Sequence, residues 1–197
     1  MNEQATPAQQ LKASTLDAHR ATERLLDVGS LLRGPYAPEH YRRILRTMHH
    51  AWSGLADVTT TTDWWPPYAR LAGELAAAAA ADLSELNATT GPVPQAYPGP
   101  DDEVALCGAA YVQFGSLLGG TMIHRALLAA PGFPTNALSF YGLCARYGGR
   151  QWGSLVTILN EKLVGVTDQP AANSPQQIAE RQANRTFAHY AALFRQT

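Results

Sequence analysis

The sequence predicts an all-α protein, a multi-helix bundle of globin-like or related type. Three observations carry that prediction. Apolar residues recur with helical spacing in the long segments, no stretch of any length alternates polar and apolar residues as a strand would, and Pro- and Gly-rich connectors separate the segments. The 197 residues suit one domain with a real core. That domain is expected to span 1–197, with 1–7 and 195–197 as flexible ends.

Seven helical segments are expected in order. The first covers 6–27 and is closed by Gly29. The second opens after Pro38 and runs to about 58, where ILRTMHHAWSGL has helical apolar spacing. TTTTDWWPP is a turn-rich connector whose two prolines suit a helix start. The third segment, 68–87, contains AAAAAA, six of the best helix-forming residues in a row and small enough for neighbouring backbones to come close. ATTGPVPQAYPGP, with four prolines and two glycines, reads as a long intradomain loop. The fourth segment, 102–130, ends at PGFP. The fifth, 136–147, stops before Gly148 and Gly149, and the sixth spans 150–164. TDQPAANSPQQ breaks the chain again before the seventh, 175–194.

Composition excludes several classes. The net charge is −1 with no long basic run, so nucleic acid is not an expected partner. Cys107 and Cys144 lie in apolar contexts without CxxC spacing and read as buried thiols of a reducing compartment. MNEQATPAQQ has no basic-then-apolar pattern, so no secretory signal is expected and the location is expected to be cytoplasmic. Residues 104–123 carry no charge and include a GxxxG pair, the length of a membrane span. Gln113, Ser116, Thr121 and four glycines interrupt them, and Asp101, Asp102 and Glu103 precede them as at a soluble helix start. A buried central helix is the expectation.

That central helix raises the functional question. Interior glycines cost about 1 kcal/mol each against alanine, yet YVQFGSLLGG carries Gly115, Gly119 and Gly120. With Gly115 at zero and about 100° per residue, Gly108 falls near 20°, Gly119 near 40°, Ser116 near 100° and Gly120 near 140°, with Tyr111 near −40°. One side of the helix is stripped of side chains. Either another helix packs very close there, or a flat ligand lies against the backbone. The cluster fits neither GxGxxG nor GxxxxGK[ST].

A second pattern lies in the first segment, LKASTLDAHRATERLL. With His19 at zero, Lys12, Thr15, Glu23 and Leu26 fall within about 40° and Leu16 near 60°. A carboxylate one turn away can take one imidazole N–H and leave the other nitrogen as a metal ligand. A His19–Glu23 pair without a ligand is the alternative. The other histidines make no cluster, and neither HExxH nor paired ExxH occurs.

LKASTLDAHRATE resembles the proximal-helix signature of haem oxygenases, and YVQFGSLLGG resembles their distal, glycine-rich helix. FYGLCARYGGRQWGSLVTILNE, residues 140–161, matches a third pattern in the right order. The likeness is nearest to the bacterial branch that supplies biliverdin to bacteriophytochromes, and it covers nearly the whole chain. It implies a haem oxygenase-like fold with haem as both cofactor and substrate, opened to biliverdin, carbon monoxide and ferrous iron. It implies His19 as the axial ligand of the haem iron and Glu23 as its partner. It also implies that Gly115, Gly119 and Gly120 admit the haem face, and that Ser116 stands where many members place an aspartate. Lys12 and Tyr111, with Arg146 and Arg150 as further candidates, would meet the haem propionates. Electrons would come from a ferredoxin or a reductase, which Arg20, Arg24, Arg42, Arg43 and Arg46 could dock. A bacteriophytochrome is a possible client. The end AALFRQT lacks the apolar tail of the family's membrane-bound members, so a soluble protein is expected.

Three other readings compete. A haem carrier of the same fold would share His19 and the glycine helix but not ring opening. A thiaminase-like hydrolase or a quinone-cofactor oxidase would use the scaffold for other chemistry, and the first needs a nucleophilic cysteine in a polar pocket. A helical interaction module would bind no haem.

Overall fold

The computed structural model describes residues 5–33, 35–164 and 174–197. Among them are eight α-helices, one 3-10 turn and no strand: α1 (Pro7–Ser14), α2 (Leu16–Leu26), α3 (Val28–Arg33), α4 (Pro38–Ala56), α5 (Pro66–Glu85), α6 (Glu103–Ala129), the 3-10 turn Thr135–Ala137, α7 (Ser139–Lys162) and α8 (Pro175–Gln196). They form one all-α bundle around one core.

The core sits where apolar spacing puts it. α4 buries Tyr41, Ile44, Leu45, Met48, Trp52 and Leu55, a stripe at intervals of three and four. It packs on α5, whose Ala72, Ala76 and Ala79 are buried. α6 is the central helix, packed along α7 and α8. It is the one helix among the described residues long and apolar enough to cross a membrane, and 61% of its most apolar window is buried inside the bundle. Asp102 starts it by accepting the Ala105 N–H at 2.7 Å.

Several boundaries differ from the sequence expectation, each for a physical reason. The first segment is two helices broken at Thr15, whose hydroxyl turns back to the Leu11 carbonyl at 2.7 Å. The stop at Gly29 is instead inside a further short helix, α3. Asp27, in the left-handed region at φ 45°, ends α2 and re-aims the chain into it.

The fifth and sixth segments are one helix, α7. Gly148 does not stop it; a Cβ there would lie 3.0 Å from the Leu117 carbonyl oxygen, so this glycine lets α7 and α6 approach. α7 has no side-chain cap of its own. Buried Asp82 of α5 supplies one, its carboxylate accepting the Ser139 and Phe140 N–H groups at 2.8 Å each. α8 continues to Gln196, through part of the expected flexible end. Residues 1–4, and 167–173 of the expected TDQPAANSPQQ break, lie outside the described residues.

Candidate functional site

A cavity of about 970 Å³ opens between α1, α2 and α3 on one side and α6, α7 and α8 on the other. That is near the upper end of the usual range for small-molecule sites. Lys12, His19, Glu23, Tyr111, Gly115, Ser116, Gly119 and Gly120 all line it. Residues a hundred positions apart are thus brought to one space. Arg150 is not among them. It is exposed. On one continuous helix Arg150 lies about 160° from Trp152, which faces the cavity. Arg146 also faces away, its guanidinium 5.1 Å from the Tyr147 ring.

On the α2 side, Glu23 Oε2 lies 3.6 Å from His19 Nδ1, one turn along the helix. Phe187 of α8 meets the imidazole edge-on, with ring centroids 5.8 Å apart. The Phe187 edge packs against the ring, and Nε2 has no partner among the described residues. Lys12, one helix earlier, is the one lysine or arginine lining the cavity among the described residues. It sits at a polar end with Thr6, Gln9 and Asn160, where Asn160 Oδ1 accepts the Ala8 N–H at 3.1 Å and ties α1 to α7. The other end is apolar, with Val28 and Leu32 of α3, Met48 of α4, Ile123 of α6 and Phe140 of α7.

The glycines of α6 divide. A Cβ on Gly108 would collide with the Ala179 carbonyl oxygen of α8, and one on Gly120 would meet Cys144 Cβ at 2.7 Å and Sγ at 2.8 Å. Those two serve helix packing. A Cβ on Gly119 would meet nothing within 4 Å, so this residue leaves bare backbone at the cavity. Gly115 is intermediate. The Trp152 ring lies 3.3 Å from its Cβ position, and Trp152 also meets the Tyr111 ring at 5.5 Å. The close-packing reading therefore holds at Gly108 and Gly120, Gly119 leaves backbone open to the cavity, and Gly120 belongs to the α6–α7 seam as much as to the cavity.

Ser116 is exposed, and its hydroxyl donates to the Gln113 carbonyl at 2.6 Å. Burial raises the Tyr111 phenol, and the Thr15 hydroxyl partly offsets it. Leu16, Leu32, Leu118 and Met122 are large apolar side chains left exposed, and all four line the cavity. Apolar surface concentrated in one concave place is the mark of a binding site. Cys144 also lines it, but burial pushes its thiol far up, and Cys107 is pushed up to about 12. Neither is an activated nucleophile.

Sequence reasoning left out Tyr141, Phe187 and Tyr190, which also line the cavity. Phe187 and Tyr190 sit three apart on the apolar stripe of α8 and read there as ordinary core. Among the described residues, no three His, Cys, Asp or Glu side chains are grouped to hold a metal ion. No protein-family model matches the chain, and no curated protein matches it.

Proposed function

We propose that the protein is a haem oxygenase on a haem oxygenase-like bundle, which opens haem to biliverdin, carbon monoxide and ferrous iron. One observation carries the reading. The histidine stretch and the glycine stretch, about a hundred residues apart in sequence, line a single mostly apolar cavity of about 970 Å³. The residues fit the group. A planar macrocycle needs a broad apolar slot, a lone nitrogen ligand on one side, bare backbone on the other and a cation at the rim. His19, Gly119 and Lys12 would supply the last three of these, and the cavity the first.

Haem, when bound, supplies both the iron that activates oxygen and the ring that is opened. The chain's part is to bind, orient and exclude water. Glu23, 3.6 Å from Nδ1, would favour the tautomer that leaves His19 Nε2 as the ligand atom. The Phe187 edge limits rotation of that ring. Lys12 attracts a carboxylate at the polar end, and the apolar end keeps water from the rest of the macrocycle. Trp152, seated on Gly115, fills space above α6 and leaves Gly119 as the place of closest backbone approach. Electrons would come from a ferredoxin or reductase. A bacteriophytochrome would be a natural client for the product, in the cytoplasm.

A haem carrier is the second reading, and Ser116 favours it. Its hydroxyl proton is committed to Gln113, and among the described residues Glu23 is the one carboxylate lining the cavity. Hemin titration tests both readings against the rest. A Soret band should form at one equivalent, and His19→Ala should weaken hemin at least tenfold and abolish ring opening. A His19→Ala protein that degrades haem at the parent rate sinks the assignment.

A further inference from the structure

Residues 88–100, between α5 and α6, form no helix, yet side chains tie them down along their length. Arg46 Nε of α4 donates to the Thr89 carbonyl at 3.1 Å, His50 Nε2 meets the Thr90 carbonyl at 3.0 Å, and Gln182 Nε2 of α8 donates to the Pro98 carbonyl at 2.6 Å. Tyr97 plugs this strap into the bundle. A Cβ on Gly54 would collide with it, and its ring meets His189 of α8 edge-on, with centroids 5.3 Å apart. The strap thus joins α4 to α8. A second cavity, of about 450 Å³, lies beside it, lined among others by His50, Asp57, Gln95 and Tyr97.

Two histidines sit beneath the strap. His50 and His189 are 5% and 2% exposed. A carbonyl only accepts, so His50 carries its proton on Nε2, toward Thr90. Its Nδ1 is closed off from water and has no partner, and the same is true of His189 Nδ1. An imidazolium carries a proton on both nitrogens. Charging either ring would therefore bury a cation and leave an N–H without an acceptor, which is costly. Nothing around the pair offsets that charge. His49 stands against His50 with centroids 5.2 Å apart, and its own Nδ1 meets the Ala76 carbonyl of α5. Arg46 is a further cation on α4, and Arg185 of α8 faces Asp101 at 3.8 Å. Burial raises the phenols of Tyr97 and Tyr190, so both stay neutral. Asp57 is exposed, and among the described residues no carboxylate pairs with either histidine. Burial, and then the charge of His50, lowers His189 to about 4. Burial, and then His49, lowers His50, with the Thr90 bond offsetting part of this.

A charged ring reaches water only if something beside it moves. The helices carry the core, whereas the strap is held by a few hydrogen bonds and one ring. We propose that the 88–100 strap is an acid-sensitive latch, closed over the neutral His50–His189 pair and released, with the helices still folded, when either imidazole takes a second proton. The latch fastens α8, the helix whose Phe187 stands against His19 in the large cavity. It does not depend on what that cavity binds.

The test is native-state proteolysis of the full, ligand-free chain with proteinase K, the cleavage sites being read by mass spectrometry. A free peptide of the strap's own sequence, digested at each pH, corrects for the pH dependence of the protease. With His189 at 6.5 when released and about 4 when strapped, opening is favoured about twentyfold more at pH 5 than at pH 7. Cleavage within 88–100, relative to the peptide, should rise by that factor, while sites in α5 and α6 stay protected. The double variant His50→Gln, His189→Gln should lose the rise. If it does not fold, His189→Gln alone should lose the larger part. A strap cut no faster at pH 5 than at pH 7 overturns the proposal. So does a rise shared equally by the helices, which would be unfolding of the whole domain, or a rise that persists in the glutamine variants.

Discussion

Gly108 and Gly119 lie on one face of one helix, within about 20° of each other, and do opposite things. At Gly108 the α8 backbone occupies the space where a Cβ would go; at Gly119 nothing stands within 4 Å. The same residue type, chosen for the same absence of a side chain, closes a seam at one end of α6 and opens a cavity wall at the other. A glycine stripe thus carries no single meaning. What faces it decides, and that comes from other parts of the chain.

Substitution at the closed end should have the largest effect. Gly108→Ala drives a methyl into the Ala179 carbonyl and should destabilise by about 2–3 kcal/mol, even after the gain of about 1 kcal/mol in helix propensity. Urea unfolding measures it. A neutral or stabilised variant would show that α8 yields, and the contrast would collapse.

Acid probes another buried residue of α8. His189 is 2% exposed, and burial, with His50 nearby, lowers its pKa from 6.5 to about 4. The unfolded chain takes up this proton below about 6.5, whereas the folded protein resists it until about 4. Stability should therefore be fully present above pH 6.5 and fall as pH drops toward 4, by roughly 3 kcal/mol. His50, lowered in the same direction by burial, adds to the slope. His189→Gln should flatten the pH dependence whatever it does to stability at neutral pH. An unaltered slope would place the acid sensitivity elsewhere.

The open end should respond with the opposite sign. Gly119→Ala adds a methyl into free space and should stabilise the ligand-free protein by up to ~1 kcal/mol. The same methyl should weaken hemin binding several-fold, which a Soret titration would measure. Loss of stability without loss of hemin binding would make Gly119 a packing residue like Gly108. Arg150→Ala should be the mildest, within about 0.5 kcal/mol and with no change in hemin affinity, because Arg150 is exposed and faces away from the cavity. A clear fall in hemin affinity would return Arg150 to the site.

The legibility of the sequence follows the range of the interaction involved. α4, α5, α6 and α8 could be read almost to their ends, because apolar spacing, proline starts and the Asp102 cap are all local. Events that depend on a distant partner could not. Gly148 looks like a stop until Leu117 is seen against it, and the cap of α7 is Asp82, more than fifty residues upstream. Thr15 breaks the first helix with a local bond, but one that a residue in the middle of a periodic stripe does not advertise.

At the site the same division holds. Helical spacing alone put Lys12, His19 and Glu23 on one face, and the glycine stripe likewise came from one segment. Joining the two faces needed either the structure or a family resemblance. Arg150 lies outside the cavity lining because, two residues before Trp152 on the same helix, it points about 160° away from it. Phe187 and Tyr190 were missed because aromatic residues on an apolar stripe look the same whether they face a core or a cavity.

The proposal that this cavity both holds haem and opens it has a direct test. The most direct measurement mixes the purified protein with one equivalent of hemin, adds ascorbate in air, and follows the absorption spectrum. A Soret band should form and then decay while a broad red biliverdin band grows. A Soret band that forms and persists would contradict ring opening and leave a carrier, and no Soret band at all would contradict haem binding in this cavity.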